Sequence, residues 1–252
     1  MRGDILKKKL MVLCAVAIMI STCLTGCKMN SGKIRFGSAG IGGTYQIFGD
    51  TFANLISSKS KKYNIEVKTT AGSAANLRLL SKDYIQMAVA QMDLINDAYN
   101  RTGIFENDKK YQGYRAVASL YTEACQIVVP ADSDIQSMDD LEGKKVCIGE
   151  EESGTEQNAL QILNAYGLNE RLVDTVNLNY TDAAKKLKSG DIDAFFCTAG
   201  VQTTVINELS KQCKIRLVSL DQKGVSRLKK SYKFYTEYTI PAGTYVNQTK
   251  EI

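Results

Sequence analysis

The sequence predicts an α/β protein of two similarly built lobes, on three observations. From Ile34 onward, short runs of β-branched and aromatic residues alternate with stretches of helical periodicity. Such alternation argues for helices layered on sheets whose strands are mainly parallel. The second half also repeats the plan of the first, each time delivering a Gly-Thr from a strand and loop to a helix start. A length of 252 residues is enough for two lobes of roughly 100 residues each.

Ile34 to Phe36 reads as the first strand, followed by the glycine-rich loop 37–43. A helix opens at Thr44, because Tyr45, Phe48, Phe52, Leu55 and Ile56 recur at helical spacing. Ile65 to Thr70 is the second strand, and Gly72-Ser73 opens a helix carrying Leu77 and Leu80. Ile85 to Ala90 is the third strand, ending in Gln91-Met92-Asp93. In the second half Lys145 to Gly149 is a strand, and Ser153-Gly154-Thr155-Glu156-Gln157 opens a helix as Gly42-Gly43-Thr44-Tyr45-Gln46 does. Leu187-Lys188-Ser189-Gly190-Asp191-Ile192 then matches Leu80-Ser81-Lys82-Asp83-Tyr84-Ile85. The boundary falls near Ser119 to Glu123, giving lobe I over residues 34–119 and lobe II over 120–252.

Residues 1–27 read as a lipoprotein signal peptide. Lys7 to Lys9 form a positive start, and Leu10 to Leu24 an apolar run too short for a membrane span. The run ends in Leu24-Thr25-Gly26-Cys27, which resembles a bacterial lipobox and makes Cys27 the lipidation site. Residues 28–33 are then a polar tether, and the expected location is extracytoplasmic, lipid-anchored to the bacterial cell membrane.

Composition excludes several classes of function. Of the formal charge of +5, the signal segment carries +3, so the remainder is too nearly neutral to present a nucleic-acid-binding face. The absence of histidine removes the usual general base and the commonest zinc ligand. Cys125, Cys147, Cys197 and Cys213 form no C-x-x-C pair; Cys125, Cys147 and Cys197 each sit inside a predicted apolar strand, and the four read as buried free thiols. No metal site and no cofactor are expected.

Ligands of parallel α/β sheets bind beyond the carboxyl ends of the strands, where helix N-termini present free N–H groups. Thr44, Ser73, Ser153 and Thr155 are placed there as caps or hydroxyl donors. Gly43 stands where a P-loop needs lysine, so a nucleoside triphosphate is not the ligand. What survives is an uncharged donor nest suited to a carboxylate or a polar neutral molecule.

Six blocks carry a family resemblance. They are Gly42 to Tyr45, Gly72 to Leu80, Gln91 to Asp93, Asp139 to Val146, Ser153 to Glu156, and Ile240 to Tyr245. Together they resemble the TAXI class of solute receptors, the extracytoplasmic subunits of TRAP-type secondary transporters. The resemblance implies a bilobal, type II periplasmic-binding-protein fold with a hinge. It implies a small organic acid, or an amino acid such as glutamate, held between the lobes and passed to a membrane permease. It implies ligand contacts from Gly43, Thr44, Tyr45, Ser73, Gln91, Asp93, Ser153, Gly154 and Thr155, with the segment Thr198 to Gln202 lining the same cleft. Glu150, Glu151 and Glu152 replace the family's small residues and would repel an anion or hold an ammonium group, and Gln202 stands in place of a usual proline. Family members continue beyond the last block, so the C-terminal part of the fold is expected to be missing, with an unpaired sheet edge. The alternatives are a ligand-sensing surface lipoprotein, or an enzyme of the same fold converting a small acid with Asp93 or Glu156 as its acid-base group.

Overall fold

The computed structural model describes residues 32–109, 111 and 113–252. Strands β1 (Lys33–Gly37), β2 (Asn64–Lys68) and β3 (Met87–Ala88) form one sheet in the order β2-β1-β3, with β1 and β3 parallel. Strands β4 (Ala124–Pro130), β5 (Lys145–Cys147), β6 (Asp174–Val176), β7 (Ala194–Ala199) and β8 (Ile215–Leu217) form a second, in the order β6-β5-β7-β4-β8. Among the described residues seven α-helices join them: α1 (Thr44–Lys59), α2 (Ser73–Ser81), α3 (Met92–Asn100), α4 (Gly154–Ala165), α5 (Tyr180–Ser189), α6 (Thr204–Gln212) and α7 (Gln222–Ser231). Helices α1 and α4 therefore begin within a residue of where the Gly-Thr repeat puts them.

The larger sheet is buried on both faces, which explains why its central strands β4 and β7 are largely apolar. Side chains alternate across a strand. Phe195 and Cys197 of β7, with Val128 of β4, pack on one face against Ala183 and Leu187 of α5 and Ile206 and Leu209 of α6. Ala194 and Phe196, with Ile127 and Val129, pack on the other against Ala159, Ile162 and Leu163 of α4 and Leu228 of α7. In the smaller sheet Phe36 and Ile65 pack with Tyr45 and Val89 on the α1 side, while Ala74, Leu77, Leu94 and Ala98 join α2 to α3.

One expectation is refined and one corrected. In the larger sheet β5, β6, β7 and β8 share one direction, while β4 runs antiparallel to both of its neighbours, β7 and β8, which makes the sheet mixed. The chain enters β4 from segment 113–123, which holds no regular secondary structure, and not from a helix packed on this sheet, so no crossover forces β4 parallel to its neighbours. The third strand shrinks to Met87–Ala88, although Gln86 N–H still donates to Arg35 O at 2.9 Å and Val89 N–H to Gly37 O at 3.2 Å. Among the described residues β3 pairs only with β1, and β8 only with β4. Among the described residues the cysteines are free thiols, with Cys147 and Cys197 buried as expected and Cys125 and Cys213 only half-buried.

Candidate functional site

Four helices bring their N-termini to one cavity of ≈ 40 Å³, room for a few waters or one small organic molecule. Lobe I contributes Gly43, Thr44 and Tyr45 at the start of α1, and Gly72 and Ser73 at that of α2. Lobe II contributes Ser153, Gly154 and Thr155 at α4, and Asn179 and Tyr180 at α5. Gln91, Glu123, Glu150 and Thr198 complete the walls.

The two sides cap their helices differently. Ser153 Oγ accepts from Glu156 N–H at 3.0 Å, and Asn179 Oδ1 accepts from Asp182 N–H at 2.9 Å. Each spends a side chain on an otherwise orphaned donor. Gly43 and Gly72 cap α1 and α2 without a side chain, so their first-turn N–H groups are left for other partners. Gly72 holds φ +131 beside Ser153, a backbone conformation that favours glycine.

Contacts between the lobes flank the cavity. Ala75 N–H of α2 donates to Glu152 O at 3.2 Å, so the other lobe satisfies this helix terminus. Arg78 Nε lies 2.9 Å from Glu152 Oε1. Gln91 Nε2 donates to Asn158 Oδ1 at 2.9 Å, and Thr181 Oγ1 to Ile41 O at 3.1 Å. Gly154 packs so tightly on the Gln91 carboxamide that a Cβ there would collide with it.

Hydroxyls and carboxylates form linked chains around the cavity. Tyr45 Oη donates to Glu123 Oε2 at 3.0 Å and stands 3.5 Å from Ser73 Oγ, which accepts from Gln91 N–H at 3.1 Å. Burial pushes the Glu123 carboxyl up to about 7, against hydrogen bonds from Tyr45 and Gln91 that favour its ionised form. Burial also raises Glu150, with nearby Asp182 adding to the shift. Tyr180 Oη donates to Thr198 O at 2.9 Å, which leaves it to accept from Thr155 Oγ1 at 2.5 Å. Thr155 Oγ1 in turn accepts from Thr198 N–H at 3.3 Å.

Thus Gly43, Thr44, Tyr45, Ser73, Gln91, Ser153, Gly154 and Thr155 come together at one cavity, and Asp93 and Gln202 do not line it. Asp93 lies over an adjoining groove, its carboxylate accepting from Leu94 N–H at 2.8 Å and from Asn158 Nδ2 at 3.4 Å. Gln202 holds a turn at φ 61, its N–H donating to Tyr245 Oη at 3.1 Å. Glu156 turns its carboxylate back to Glu152 N–H at 2.8 Å and Asn177 Nδ2 at 2.9 Å, away from the cavity. Cys27 lies outside the described residues. Among those described, no group of His, Cys, Asp or Glu side chains is placed to hold a metal ion.

Thr44 is not a cap, because Gly43 occupies that position, and its hydroxyl lies near Tyr121 instead. Thr155 has its donor committed to Tyr180, so its first role is to hold the wall. We expect Thr155→Val to lower stability without ligand by about 1 to 2 kcal/mol, as the Thr198 N–H and Tyr180 Oη lose a buried partner. Urea midpoints of the two proteins check this, and equal midpoints would show the hydroxyl to be spare.

Reading the sequence missed Glu123, Asn179 and Tyr180. The signal for α5 was present as Asn179-x-x-Asp182, an N-cap pattern just after β6. Glu123 carried none, being one charged residue ahead of an apolar strand.

Two α/β lobes with mixed sheets, meeting at a cavity ringed by helix N-termini, define a bilobal fold of the periplasmic-binding-protein type. The chain belongs to the NMT1-like family, whose model matches residues 36–252. Solved structures share the fold at low sequence identity. The alkanesulfonate-binding protein of Xanthomonas axonopodis pv. citri, bound to MOPS, aligns with TM-score 0.51 and 18% identity over 75% of this chain and 60% of that one. A binding-protein component of a phosphonate ABC transporter from Pseudomonas aeruginosa gives 0.53 and 12%, over 79% and 73%. An ancestral arginine-binding protein bound to arginine gives 0.50 and 18%, over 81% and 93%. The chain thus spans 60% of the length of the alkanesulfonate-binding protein.

Proposed function

We propose that the protein is an extracytoplasmic solute receptor, anchored through Cys27, that closes lobe I (residues 34–119) and lobe II (120–252) on a small ligand and delivers it to a membrane permease. One observation carries this reading: helix N-termini from both lobes face a single small cavity bridged by contacts across the cleft. A ligand touching both walls stabilises the closed form because its contacts differ between open and closed states. The structural neighbours named above serve ABC transporters or bind sulfonate or arginine, which supports transport of a small polar molecule. The TRAP type of permease, and a ligand that is an organic acid or an amino acid, rest on the sequence blocks. Binding without turnover fits the turning away of Asp93 and Glu156 from the cavity.

The test is to purify the full chain in detergent, denature it, and identify released small molecules by mass spectrometry. The compound found should raise the melting temperature when added back, because ligand at about 100 times its Kd contributes roughly 2.7 kcal/mol. Chemical conversion of that compound by the protein would replace the receptor with an enzyme.

A further inference from the structure

The cavity has two electrostatic poles. Helix N-termini supply positive potential and free N–H groups, which suit a carboxylate. Glu123 and Glu150 supply the opposite sign, and no lysine or arginine lines the cavity among the described residues. The Glu150 carboxylate reaches across from lobe II to lie against the Gly40 α-carbon, where any Cβ would collide with it. Glu123 lies at the foot of β4, held by Tyr45 Oη at 3.0 Å. Facing it are the hydroxyls of Tyr45, Tyr121 and Tyr180, the thiols of Cys125 and Cys197, and the Asp93 carboxylate. None of these is a cation. An acid without an amine would meet the helix termini but also share a small space with two carboxylates, which like-charge repulsion opposes. A molecule with both charges satisfies both poles.

Resting on the receptor reading above, we infer that Glu123 and Glu150 select the ligand by its protonated amine, so that the cavity takes amino acids and rejects the matching acids that lack the amine. The same arrangement makes capture pH-dependent. The bound amine needs Glu123 ionised, and burial pushes this carboxyl up to about 7 in the unliganded protein. Affinity therefore falls as pH drops below that value, by up to about tenfold per unit.

Calorimetry and thermal shift on the full chain test this with the standard L-amino acids, with propionate, succinate and glutarate, and with methylamine and putrescine. At about pH 7.5 an amino acid should bind at least about tenfold more tightly than its des-amino counterpart. Glu123→Gln and Glu150→Gln should each weaken that amino acid by about tenfold or more, and Glu123→Gln should flatten the pH dependence of affinity. Equal affinity for the des-amino acid, or wild-type binding by both variants, overturns the inference. Binding of the acids alone overturns it while leaving the receptor intact. If no compound binds and none co-purifies, the receptor reading falls and the inference with it.

Discussion

Replacing Gly154 with leucine is expected to weaken ligand binding at least about a hundredfold while leaving both lobes folded. Gly154 is the first residue of α4, where a helical backbone accepts any side chain. The need for glycine comes from across the cleft. A Cβ at this position falls on the Gln91 carboxamide, which is tied to Asn158 at 2.9 Å. To admit leucine the Gln91 carboxamide must give up Asn158 and swing aside or the lobes must part, and the bulk beyond Cβ favours parting, which breaks the Ala75 N–H to Glu152 O and Thr181 Oγ1 to Ile41 O bonds. If the closed form becomes a hundredfold rarer, the apparent Kd rises by the same factor, about 2.7 kcal/mol. Calorimetry with the co-purified compound measures the loss, and small-angle scattering should show a larger radius in its presence than for wild type. The smaller Gly154→Ala should recover binding when combined with Gln91→Ala, because the removed carboxamide vacates the space a methyl needs. A leucine variant that binds as wild type would mean that closure does not depend on this contact.

What the sequence made legible follows from where each signal lives. Helix starts at Thr44, Ser73 and Gly154 were readable because glycine followed by a hydroxyl residue and an apolar period is a local pattern with a local cause. The apolar runs of β4 and β7 were readable as strands, since both faces of the larger sheet are covered. Their direction was not, because antiparallel pairing of β4 with β7 depends on how the chain enters from 113–123. The site divides along the same line. Gly43, Thr44 and Thr155 stand at readable helix starts, whereas Glu123 belongs to the cavity only because β4 begins where it does. Thr155 shows a second limit: its position was legible, but the commitment of its hydroxyl to Tyr180, 25 residues on, was not. The uncharged donor nest acquires two carboxylates: Glu150, which the sequence already placed in the loop before α4, and Glu123, which it did not.

Without ligand, the protein is expected to be more stable at about pH 5 than at about pH 8. Burial raises the Glu123 carboxyl from 4.5 to about 7, so between these values the folded protein binds the proton that the unfolded chain releases. The stability contributed by this group is fully present below the unfolded value and is lost as pH rises through about 7. At 1.36 kcal/mol per unit the loss is on the order of 2 to 3 kcal/mol. Burial displaces Glu150, Asp93 and Glu156 in the same direction, which steepens the tilt. Asp140, bonded by Ser137 and Gln136, and Asp182, bonded by Asn179 and Lys185, are shifted below the ordinary carboxylate range. Both stay ionised across the window and do not offset the effect. Urea midpoints at the two pH values measure the tilt, and Glu123→Gln should reduce it by making the variant more stable than wild type at about pH 8. Saturating amine-bearing ligand should oppose the tilt, because it binds the ionised form that high pH favours. An identical pH slope in wild type and Glu123→Gln would show that the Glu123 carboxyl is not the group that titrates.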